Sequence, residues 1–127
     1  MHLWTGILLL GGLLAGSVPG AQAAERGDAE RGRAVFNGKG ICYYCHGTDG
    51  QLSQRPQLSE ETARIITSLA PHPPDLRDAA HLRLKSDHDR FRIIREGHTG
   101  SGMLPDRTLT DQEITDILAY LASLRGR

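Results

Sequence analysis

The chain has 127 residues, room for one ordinary domain and too few for two. Lysine plus arginine number 15 and aspartate plus glutamate 15, so the net charge is zero and a nucleic-acid binder's basic surplus is missing. Two cysteines exclude a disulfide scaffold, and two Phe, three Tyr and one Trp leave little for a dry core; small chains with thin cores usually need a staple, a metal or a cofactor.

The first element is a leader. Leu3 to Val18 carry no charge and include Ile7-Leu8-Leu9-Leu10. Pro19-Gly20-Ala21-Gln22-Ala23 follows with an A-x-A pattern, and the first charges are Glu25 and Arg26. The pattern predicts a signal peptide over residues 1–23, cut after Ala23 or Ala24, ahead of one domain over 24–127. Its n-region lacks lysine and arginine, so an uncleaved anchor is the competing reading. Against an anchor, the apolar stretch is shorter than the roughly 20 residues of a spanning helix and is interrupted by Gly11, Gly12 and Gly16. Either outcome places the domain outside the cytoplasm, periplasmic or exported, and at a membrane only if the leader stays on. Met1 and Trp4 leave with the leader, which makes Met103 the sole methionine of the mature chain.

Helix signals recur beyond it and strand alternation does not, predicting an all-α domain. Asp28 caps a first helix reaching about Asn37, with Gly32 and Phe36 four apart on one face. Ser59 starts a second over Glu60–Ala70, stopped by Pro71. Ser86-Asp87-His88-Asp89 is a capping box before Phe91, Ile93 and Ile94, and Gly97 ends that helix. Thr110 and Glu113 form another, ahead of Ile114, Ile117, Leu118, Leu121 and Leu124 at helical spacing. Glycine- and proline-rich loops lie between: 47–56, 71–75 and 97–105. Loops this long in a small domain point to a wrapped ligand.

Both cysteines sit in Cys42-Tyr43-Tyr44-Cys45-His46. On a helical turn, positions i, i+3 and i+4 share a face, so Cys42, Cys45 and His46 point the same way. Such a turn can bond covalently to a haem's two vinyl groups while its imidazole takes the iron, give three ligands to zinc, or act as a redox dithiol. C-x-x-C-H is the haem c attachment signature. A zinc site needs a fourth ligand, for which only scattered histidines (72, 81, 88, 98) are at hand. A redox dithiol expects a βαβ frame, and a disulfide across three residues closes a strained loop with little entropy to gain. For a haem held by His46, the candidate opposite ligand is Met103, in the glycine-rich loop Gly97-His98-Thr99-Gly100-Ser101-Gly102-Met103-Leu104-Pro105. Three glycines let that backbone approach a porphyrin closely, and a thioether is a soft ligand that raises the potential. His98, on the same loop, is the rival.

Taken together, these residues resemble the small soluble class I cytochromes c over essentially the whole mature chain. Gly27-Asp28-Ala29-Glu30-Arg31-Gly32 with Phe36 is similar to that family's N-terminal helix, which implies packing of Gly32 and Phe36 on Ile117 and Tyr120. Pro74-Asp75-Leu76 is similar to the family's Pro-x-Leu, implying that the Pro74 carbonyl accepts the ring proton of His46. Two features depart from the pattern. Residues 51–71 are longer than in compact members and read as a surface insertion with its own helix, with a cover for a haem edge or a partner surface as the alternatives. No tryptophan remains to bond a haem propionate, for which Arg77, Arg83 and Lys85 are the candidate substitutes.

The resemblance implies an all-α fold of short helices and long loops around one covalent haem c. Cys42 and Cys45 attach it, and His46 and Met103 ligate its iron. The implied activity is single-electron transfer rather than catalysis, by a monomer that meets redox proteins transiently and binds no nucleic acid. Arg77–Arg95 holds six basic residues against three acidic ones, a patch suited either to an acidic partner or to solvent. Two alternatives stay open: a labile distal site serving as gas sensor or peroxidase, and a fixed haem subunit of a larger oxidoreductase.

Overall fold

In the computed structural model, residues 26–80, 82–84 and 86–125 are described. The leader and its cleavage point, His81 and Lys85 lie outside them. Among the described residues five helices appear in chain order: α1 (Ala29–Phe36), α2 (Tyr43–His46), α3 (Glu60–Ser68), α4 (Asp87–Glu96) and α5 (Asp111–Arg125). A 3-10 turn at Thr48–Gly50 sits inside what the sequence reads as loop. Among the described residues no strand forms, as the periodicity predicts.

The helix starts follow their capping residues. Asp28 accepts from the Arg31 N–H, Ser59 from Thr62 and Ser86 from Asp89. The box at α5 is reciprocal: Thr110 Oγ1 accepts from the Glu113 N–H at 3.1 Å, and Glu113 accepts from the Thr110 N–H at 2.7 Å. The predicted second helix ends early, at Ser68 rather than Ala70, with Leu69 already extended (φ −62°, ψ 135°). The clash of a proline ring with its predecessor's helical conformation explains this, because Ala70 precedes Pro71.

The dominant packing is α1 across α5. A Cβ on Gly32 would run into the Asp116 carbonyl, so the bare glycine face sets how closely the two backbones approach. Phe36 meets Tyr120 edge-on at 5.7 Å between ring centroids. The implied packing of Gly32 and Phe36 on Ile117 and Tyr120 therefore holds. Asp116 is buried, yet it accepts from the Asp28 N–H (2.8 Å), Arg31 Nε (2.9 Å) and Gln112 (3.0 Å), which ties the start of α1 to α5. The core is one cluster of Phe36, Ile94, Leu109 and the inner face of α5, with Cys42, Tyr43, Leu76, Phe91 and Met103 packed around its edge. Among the described residues no helix is long and apolar enough to cross a membrane.

Candidate haem-binding site

Cys42 caps α2 with helical dihedrals (φ −58°, ψ −34°), so Cys42, Cys45 and His46 follow one continuous turn, as the spacing requires. Gly47 ends the turn at φ 83°. Both thiols are free and half-buried. Burial pushes the Cys42 thiol up to about 12, with the charge on Asp106 adding to it. Burial also raises Cys45, opposed by Arg55, whose guanidinium donates to the Cys45 carbonyl. Both are therefore protonated at neutral pH, unlike the low-pKa thiolate of a working redox dithiol. Among the described residues no group of three or more His, Cys, Asp or Glu side chains is placed to hold a metal ion on its own. The zinc reading has no support there.

His46 Nδ1 lies 3.2 Å from the Pro74 carbonyl oxygen. A carbonyl can only accept, so Nδ1 carries the hydrogen and Nε2 keeps its lone pair. Burial lowers the His46 pKa, the Pro74 contact opposing it, and this favours the neutral ring that a metal ligand must be. The proximal contact implied by Pro-x-Leu is thus present.

Met103 is half-buried against the same cluster as Cys42, Leu76 and Phe91, whereas His98 is exposed. The intervening loop is closed on itself. The His98 N–H donates to the Met103 carbonyl (2.9 Å), Ser101 Oγ donates to the His98 carbonyl (2.8 Å), and the Met103 N–H donates to Ser101 Oγ (3.2 Å). Gly97 and Gly100 take positive φ, 78° and 80°. At Gly102 the bare face is occupied by protein: a Cβ there would meet Leu69 Cδ1 at 2.9 Å and Cγ at 3.1 Å. The 51–71 stretch therefore packs its Leu69 onto the methionine loop and buries Ile66, and is more than surface decoration.

One structural residue beside the site went unmarked in the sequence. Asp49, in the 3-10 turn, accepts from Arg33 Nε and Nη2 (2.9 Å each), Asn37 Nδ2 (2.7 Å) and the Tyr120 hydroxyl (2.8 Å). Its carbonyl accepts from Arg77 Nε (3.1 Å) and Nη2 (2.9 Å). Arg77, a candidate propionate partner, thus already has a protein partner; Arg83 is exposed. Several basic residues of Arg77–Arg95 also have partners within the molecule. Arg90 pairs with Asp87, and Arg95 donates to the carbonyls of Asp106 and Leu109 and to Asp111.

The family model described as Cytochrome c matches residues 29–125. No curated protein and no solved structure gives a significant match. The matched span includes the attachment turn, the proline loop and the methionine loop.

Proposed function

The chain belongs to the cytochrome c family, and from that premise we propose an exported monohaem electron carrier with Cys42 and Cys45 as attachment points and His46 and Met103 as iron ligands. The family is one of haem-binding electron-transfer proteins whose c-type haem is covalently attached. When bound, the haem supplies a one-electron Fe(III)/Fe(II) couple. The chain's own residues do the rest. Cys42 and Cys45 present two protonated thiols on one face, His46 presents Nε2 with Nδ1 fixed on Pro74, and Met103 presents a thioether from a loop closed by its own hydrogen bonds.

The observation that carries this reading is the His46–Pro74 hydrogen bond, because it selects the tautomer a metal-ligating histidine uses. Exposure of His98 favours Met103 as the second ligand. An iron held by the protein on both faces is suited to passing electrons rather than binding substrate. The leader supports export to the periplasm, where brief, small-area encounters of the monomer with redox proteins suit a carrier.

The test combines two measurements on the purified protein. The mass of the denatured chain should exceed that of the polypeptide by one haem, and Cys42→Ala with Cys45→Ala should abolish the increment. Spectra recorded against applied potential should follow a reversible one-electron curve. A denatured mass equal to the bare chain, or no reversible couple, would sink the proposal.

A further inference from the structure

We propose that Arg77 is a positioning residue for His46: it clamps the Pro74–Arg77 loop to the Asp49 carbonyl and so holds the Pro74 carbonyl where the His46 ring donates to it. The inference rests on His46 as an iron ligand. Two short segments run side by side, His46 to Asp49 and Pro74 to Arg77, and both ends are closed by hydrogen bonds. At one end His46 Nδ1 donates to the Pro74 oxygen at 3.2 Å; at the other the Arg77 fork donates to the Asp49 oxygen at 3.1 and 2.9 Å.

Each segment is stiffened from within. The Arg77 N–H donates to Asp75 Oδ1 at 2.9 Å, and the Asp78 N–H to the Asp75 carbonyl at 3.3 Å, making residues 75–78 a compact turn. Asp49 is fixed to α1 through Arg33 and Asn37 and to α5 through Tyr120. The Arg77 stem lies over Gly50, where a Cβ would meet its Cγ at 4.0 Å. Leu76 holds the same loop to the core by apolar contact, which is not directional. The two-pronged guanidinium fixes orientation. Pro74 itself is exposed, so water competes for its carbonyl once the clamp is gone.

A proximal imidazole that donates from Nδ1 is a more basic ligand, which favours the ferric state and lowers the potential. Loosening the clamp therefore raises the potential. Simple loss of a positive charge acts in the opposite direction, because it relieves repulsion of the ferric form. Arg77→Lys keeps the charge and loses the fork; Arg77→Met loses both.

In the haem-loaded protein, the His46 Nδ1–H of the reduced form should exchange with solvent several-fold faster in both variants, approaching about tenfold. The potential of Arg77→Lys should move upward. Arg92→Met, which removes an exposed charge paired with Glu96, should leave the exchange unchanged. A His46 ring N–H resonance shifted by the haem in the wild type, yet unmoved in exchange and potential by Arg77→Lys, would overturn the role of Arg77 and leave ligation standing. Absence of that resonance in the wild type would overturn His46 ligation, and this proposal with it.

Discussion

Asp49 sits at φ 54°, ψ 27°, a left-handed conformation that aspartate tolerates better than most residues. Its N–H donates to Asn37 Oδ1 at 2.9 Å while its carboxylate accepts from Asn37 Nδ2, so the two side chains lock reciprocally. The Arg33 hydrogen bonds, with Tyr120 and Asn37, hold its carboxyl well below the usual carboxylate range. The same charge and the burial of the ring push the Tyr120 phenol up to about 12, burial being the larger cause. A carboxyl depressed in the folded state adds stability that is complete above its unfolded value of 3.8 and is lost as pH falls through the folded value. Arg33 is largely solvated and its share is screened, so the Tyr120 and Asn37 bonds carry most of the difference. Asp49→Asn should cost on the order of 2 kcal/mol at pH 7. The gap to wild type should begin to narrow below pH 4 and shrink further as the pH falls, measured by urea unfolding across pH. A gap that persists undiminished in acid would show that the carboxylate's charge contributes nothing.

At the scale of elements, the α1–α5 crossing is the joint on which the rest hangs. Gly32 lets the backbones touch, and Asp116 bonds across them. Gly32→Ala places a methyl against the Asp116 carbonyl, and the helices must part; overpacking of this kind costs about 1–3 kcal/mol. The loss should appear as a lowered midpoint in thermal melts of the haem-loaded protein, and an unchanged midpoint would mean that the crossing yields freely. Much at this level was legible beforehand. Asp28, Ser59, Ser86 and Thr110 announced their helices because a cap is a local signal. Pro-x-Leu did the same for the contact between His46 and the Pro74 carbonyl. Asp49 was not legible, because Asp-Gly reads as a turn and its partner Tyr120 lies 71 residues away. The anchoring roles of Arg77 and Arg95 were not legible either: the oxygens of Asp49, Asp106 and Leu109 that accept from them are backbone carbonyls, which no pattern of side chains marks. Leu69 looked like the end of a surface helix until its contact with Gly102 was visible.

For the whole molecule, the core is nearly all α5 and the few side chains facing it, and the attachment turn, Leu76 and Met103 form its edge. On the proposed reading the haem would sit at that edge, which would make the cofactor part of the fold as well as of the chemistry. The methionine loop follows α4, anchored by Arg95 just beyond its far end and by Leu69 on Gly102. The central claim is that Met103 closes the iron's second face. It is tested most directly by adding carbon monoxide to the reduced, haem-loaded protein and following the absorption bands, with Met103→Leu beside it. The account predicts sharp low-spin bands unmoved by the gas in the wild type and a prompt shift in Met103→Leu. Bands that shift equally in both would contradict it.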